Sequence, residues 1–200
     1  MKKLIALLAA IMMAFQLLAQ DHNLLNSIKA TNSQIKSFDA NLSNTMVKTK
    51  KTTTQEGKLY FVAPFGFAAL FDEDYMIVNE QRIKMDMGLF SGTYKLRDGG
   101  MMQSLSNIFL YAFQGRIQQL ADENGYSLTT KTENGYHIVT GTIIKKKLIG
   151  IGYKQVIFKY HTDSLLLKEI VLCDYSGNVD VYSINNVKYD VKVDPKTFAF

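Results

Sequence analysis

The chain predicts a mainly β domain with an N-terminal helix and a helical insert, and three patterns carry the prediction. Apolar and polar residues alternate with a period of two in many short runs, and turn residues separate the runs. The period changes to that of a helix near the start and again over 97–122. The runs at Leu59–Val62 and Phe67–Phe71 are apolar on both faces. Such strands either have something covering their outer face or are central strands of a strongly curved sheet.

The first nineteen residues, MKKLIALLAAIMMAFQLLA, read as a secretion signal. Lys2 and Lys3 form a positive start, Leu4 to Leu18 is almost unbroken apolar sequence, and Ala19 suits cleavage, although Leu17 is a poorer fit two residues earlier. The run is shorter than the roughly 20 apolar residues a membrane span needs. The expectation is therefore a leader over 1–19 and a single domain over 20–200, soluble outside the cytoplasm. No Cys stands at the cleavage point to carry a lipid anchor.

About 180 remaining residues suffice for one domain with a substantial core. The formal charge is +5, two units of which come from Lys2 and Lys3. No basic stripe interleaved with aromatics supports nucleic-acid binding. Lys145, Lys146 and Lys147 read as a solvated hairpin end. Cys173 is the sole cysteine, so no intrachain disulfide forms; in KEIVLCD it reads as a small buried hydrophobe.

From His22 to Phe38, the residues Leu24, Leu25, Ile28 and Ile35 fall at helical spacing, with Asp21 placed to cap the helix. Phe38, Ala40, Leu42 and Met46 then alternate with polar residues as a half-buried strand. KKTTTQEG reads as a polar connection. Short antiparallel strands follow in KLYFVAP, FGFAALF, YMIVN and QRIKMDM, with Asp72, Glu73 and Asp74 turning the chain.

In the insert, Met101, Leu105, Ile108, Phe109, Ala112, Phe113, Ile117 and Leu120 share a stripe, and Gly115 divides the segment into two short helices. The economical arrangement is a helical cover over the concave side of the sheet. Beyond it, GYSLTTK, GYHIVTGTII, GYKQVIFKY, LLLKEIVLCD, GNVDVYSINNVKYD and a short final TFAF read as strands of a meander.

No reaction can be assembled from these residues. His22, His137 and His161 lack metal-ligand spacing, and His137 and His161 read as ordinary sheet and turn residues. The acidic trio sits in a turn without a second carboxylate cluster. There is no GxSxG elbow, and the glycines form no phosphate loop. The expectation is a protein that is not an enzyme and uses neither cofactor nor metal. The positive feature is apolar: Phe and Met concentrate in Leu59–Met87 and in the insert. Either side chains fill that space, or a curved sheet beneath a helical insert holds a cavity.

The order of these elements resembles the LolA family, the periplasmic carriers of outer-membrane lipoproteins. The strongest match is Glu56-Gly57-Lys58-Leu59-Tyr60-Phe61 through Pro64 and Phe67; a second runs from Leu165 to Phe200 and ends in DPKTFAF. The resemblance implies an incomplete, strongly curved antiparallel β-barrel with an N-terminal helix and a helical lid. It implies carriage of lipoprotein acyl chains in a hydrophobic cavity from inner to outer membrane. The partners so implied are outer-membrane lipoproteins, an inner-membrane ABC transporter that releases them, and an outer-membrane acceptor or the membrane itself. Cavity residues would be Leu59, Phe61, Phe67, Ala69, Phe71, Met76 and Val78. Lid residues would be Met101, Leu105, Ile108, Phe109, Ala112 and Phe113. Ala63 departs from the family, which commonly has Arg before this proline. Two other readings stand beside carriage: a binding module for another envelope lipid or hydrophobic ligand, and a structural or adaptor protein whose core is filled.

Overall fold

The computed structural model describes residues 21–49, 51–87, 90–96, 100–144 and 152–200. The leader over 1–19 and the Lys145–Lys147 turn lie outside the described residues.

The first described element is helix α1, over 21–32. It ends before Ile35, earlier than the sequence pattern suggests. Asn32 accounts for the stop: its Nδ2 donates to the Ile28 carbonyl and to the Leu165 carbonyl, each at 2.8 Å, tying the helix end to a distant loop. Asp21 lies in the helix instead of capping it, and its carboxylate accepts from the Thr130 hydroxyl.

Six strands follow: β1 Ser37–Lys48, β2 Lys51–Val62, β3 Gly66–Phe71, β4 Tyr75–Val78, β5 Arg82–Met87 and β6 Phe90–Lys95. The insert forms α2 Met101–Phe113 and α3 Ile117–Asn124. Five more strands complete the sheet: β7 Tyr126–Glu133, β8 Tyr136–Ile143, β9 Tyr153–His161, β10 Leu167–Asp174 and β11 Val179–Tyr189.

KKTTTQEG is therefore not a connection. Lys51 to Gly57 belong to β2, and Lys48 pairs with Lys51 across a tight hairpin. Threonine suits a strand, and main-chain pairing needs no apolar face where both sides meet water. The terminal TFAF is not a strand either. Pro195–Phe198 is a 3-10 turn, and the Asp194 carboxylate accepts from the Lys196 N–H at its start.

All strands pair antiparallel in the order β6-β5-β4-β3-β2-β1-β11-β10-β9-β8-β7. Two meanders, β1–β6 and β7–β11, are thus joined by pairing of the first strand with the last, Leu42 opposite Ile184 and Val47 opposite Val179. The expected meander holds within each half.

The barrel expectation is corrected. The sheet is open and not strongly curled, and its outer strands β6 and β7 do not pair with each other. The doubly apolar strands that suggested strong curvature have the other explanation. The turn Pro195–Phe198 packs on β3, where Ala68 on the outer face is fully buried. Ser37 holds the path of this tail: its hydroxyl donates to the Val191 carbonyl at 2.7 Å, and its own carbonyl accepts from the Asp190 N–H at 2.9 Å.

The helices cover the opposite face. Gly115 breaks the insert as its sequence suggests, with φ +66°, in the region glycine favours. It also lets the insert approach α1 closely, since a Cβ there would stand 2.6 Å from the Ile28 carbonyl oxygen.

Candidate functional site

The register fixes which side chains share the helix-covered face. Phe61 stands opposite Phe38 and Phe67, and Leu59 opposite Ala40 and Ala69. Phe67 faces Val78 across the next ladder, and Ala69 faces Met76. Phe71 follows on the same face, opposite Gly57. All seven residues named for the strand side therefore lie together on one face, and all are buried.

Helix α2 meets them directly. Phe113 stands 5.5 Å from each of Phe38, Phe61 and Phe67, centroid to centroid. Phe109 lies 5.3 Å from Phe67 and 5.1 Å from Tyr182, edge-on to the latter. Such separations are contact distances for aromatic rings, with no layer of ligand between them. Ile108 and Ala112 are buried as well, while Leu105 is half-buried and Met101 is 38% exposed. Tyr160 on β9 fixes the helix from beneath, donating its hydroxyl to the Ala112 carbonyl at 2.9 Å.

Among the described residues the helices pack directly on the sheet, leaving little space between them. A recess among Ile35, Phe38, Phe113, Leu167, Ile184 and Tyr189 has a volume of only about 10 Å³. That is room for about one water molecule. A larger groove of about 280 Å³ lies at the surface, along Phe65 and Asn79–Arg82, not beneath α2.

These findings correct the carrier expectation. A carrier would need a curved wall and an interior void for acyl chains, whereas the sheet is open and the named cavity residues are spent on packing α2. The helices are accordingly a packed layer of the core and not a lid over a cavity. A hydrophobic-ligand module of the same design fails on the same ground.

The polar candidates fall where ordinary structure puts them. The His137 ring is bonded to the Thr132 hydroxyl at 2.8 Å, across the β7–β8 ladder, and the His161 ring lies tilted against Tyr136 at 5.0 Å. The Phe71 N–H donates to the Asp74 carbonyl, so the acidic trio closes a hairpin. Cys173 is half-buried, not fully buried, and burial pushes its thiol up from the usual range. Among the described residues no three His, Cys, Asp or Glu side chains gather as metal ligands. No described helix is long and apolar enough to cross a membrane.

Sequence reasoning missed one polar group on the covered face. Asn44 is fully buried on β1, opposite Tyr182 and Gln55. The signal was available: Asn44 interrupts the apolar alternation between Leu42 and Met46.

No family model matches the chain, and no curated protein does. Solved structures are similar in fold. An uncharacterized conserved protein from Thermus thermophilus is 9% identical with a TM-score of 0.51, over 90% of this chain and 94% of that one. A DUF1329 family protein from Desulfovibrio piger is 14% identical with a TM-score of 0.46, over 88% and 94%. A LolA superfamily protein from Nitrosomonas europaea is 10% identical with a TM-score of 0.41, over 88% and 97%. The likeness is one of fold alone.

Proposed function

We propose that this protein is a non-catalytic interaction or adaptor module of the cell envelope, with a filled core and its binding surfaces on the outside. The observation that carries the reading is the direct packing of Phe109 and Phe113 onto Phe38, Phe61 and Phe67, beside which the recess among the described residues has only about 10 Å³. The location rests on the leader-like sequence over 1–19. Among the described residues the outer strands β6 and β7 pair on one side only, and an unpaired strand edge is a surface on which another chain's strand can pair. Lipoproteins, their releasing transporter and an outer-membrane acceptor remain within this reading only as protein surfaces contacted from outside.

The test is native mass spectrometry of the purified full chain titrated with a diacylated lipopeptide and with its deacylated form. The adaptor reading expects no complex that depends on the acyl chains. A one-to-one complex lost on deacylation would overturn it.

A further inference from the structure

One end of the sheet carries exposed apolar and basic residues on neighbouring strand ends. A single row crosses five strands there: Val47 pairs with Val179, Val179 with Cys173, Cys173 with Gln155, and Gln155 with Thr142. Just beyond the row, Lys48 and Lys51 close the β1–β2 hairpin, Tyr175 stands in the β10–β11 turn, Lys154 lies on β9, and Ile144 follows β8. All stand within two residues of the row, so they share a level to about 7 Å. From β1 to β8 the row spans four strand spacings, about 19 Å. Ile144 is 69% exposed, Tyr175 43% and Val47 39%, and the three lysines are exposed as well.

Basic groups lead at this end, and acidic ones are engaged or set back. Among the described residues the ion pairs are Lys131 with Glu133 and Lys159 with Glu169, so Lys48, Lys51 and Lys154 stand outside any pair. The Asp174 carboxylate accepts from the Ser176 and Asn178 N–H groups, each at 2.8 Å, and from Asn178 Nδ2 at 2.7 Å. Asp180, one residue inside the row, is half-buried and lies within the influence of Lys48. Near the end of α3, Asp122 accepts from Gln118 and Glu123 from Tyr111. The acidic turn after Phe71 stands well back, since Phe71 pairs with Gly57 and Gly57 with Leu42.

We propose that this end of the sheet docks on an anionic phospholipid surface, with Val47, Ile144 and Tyr175 entering the headgroup layer and Lys48, Lys51 and Lys154 meeting lipid phosphates. Each apolar tip leaves water and each lysine is drawn to anionic lipid, so the two attractions add on one level. Long lysine stems keep the ammonium groups at the phosphates while shorter apolar tips go deeper. Tyrosine suits the boundary because its ring is apolar and its hydroxyl stays wet. A bilayer yields to tips spread over about 19 Å, with no matching pocket for each. The docking is peripheral and places no acyl chain in the core. It rests on the adaptor reading only for the envelope location.

The test is co-sedimentation with lipid vesicles of the protein recovered from the envelope of cells making the full chain. The proposal expects binding to phosphatidylethanolamine–phosphatidylglycerol vesicles and binding at least about tenfold weaker to phosphatidylcholine vesicles. Lys48→Glu together with Lys51→Glu should weaken the anionic binding at least about tenfold, and so, separately, should Ile144→Asp. All three positions are exposed, and circular dichroism checks that each variant is folded. Lys188→Glu makes the same charge change at an exposed position opposite Asp39, toward the other end of the sheet, and should bind as the wild type does. No sedimentation with anionic vesicles would overturn the docking and leave the adaptor reading standing. Unchanged binding by the Lys48, Lys51 and Ile144 variants, or equal weakening by Lys188→Glu, would also overturn it. A soluble protein–lipid complex left in the supernatant would overturn both the docking and the filled core.

Discussion

The Tyr160 hydroxyl on β9 donates to the Ala112 carbonyl in α2 at 2.9 Å, tying the sheet to the helix layer at a fully buried position. The Ala112 carbonyl also accepts from the Gly115 N–H at 3.2 Å. Removing the hydroxyl therefore leaves no orphaned carbonyl. Tyr160→Phe is expected to cost only the net worth of one hydrogen bond, about 1 kcal/mol, in urea unfolding. A loss above about 3 kcal/mol would show that the phenol supports more than this bond.

Gly115 is expected to tolerate substitution worse than Tyr160. Its φ of +66° penalises a side chain by about 1–2 kcal/mol, and the Cβ would collide with the Ile28 backbone. Gly115→Ala should destabilise by more than about 2 kcal/mol, measured as a lower urea midpoint. An unchanged midpoint would mean that α1 and the insert do not approach as closely as described.

Alkaline pH should weaken the fold through its buried tyrosines. Burial and then Tyr175 push the Tyr126 phenol up to about 12, and Tyr153, Tyr160 and Tyr182 are also raised, chiefly by burial. In the unfolded chain a tyrosine ionises near pH 10, at about its ordinary value. Stability from these groups is thus intact below about pH 10 and declines as pH rises toward 12, because the unfolded state releases its protons first. Urea midpoints between pH 9 and about 11.5 should fall steadily, and Tyr126→Phe should make the slope shallower. A midpoint independent of pH over this range would contradict the burial of these phenols.

Asn44→Leu should leave stability unchanged or raise it by up to about 1 kcal/mol. It removes an unpaired donor from an apolar face, and half-buried Gln55 can turn to water. A loss above about 2 kcal/mol in thermal or urea unfolding would show that Asn44 is satisfied in solution and is a structural group.

Local rules made much of the fold legible. Phe38, Ala40 and Leu42 alternate because they share one covered face, and Gly115 divides the insert because its backbone is left-handed there. Long-range relations were not legible. Nothing near Val47 announces Val179 as its partner, and nothing near β3 announces the tail that packs on it. That gap led from doubly apolar strands to a barrel. The residues named as cavity and lid do come together, but apolar composition is the same for a lined void and a packed core. Only the separations among Phe38, Phe61, Phe67 and Phe113 decide between them.

The central claim is that the space beneath α2 is full, and xenon binding to crystals under pressure tests it most directly. An enclosed apolar cavity takes up xenon, whereas the recess beside Phe113 is about 10 Å³. The wild-type chain should show no xenon between α2 and the sheet, and Phe113→Ala, which empties a site bounded by Phe38, Phe61 and Phe67, should show it. Xenon beneath Phe109 or Phe113 in the wild-type protein would contradict the filled core and the function drawn from it.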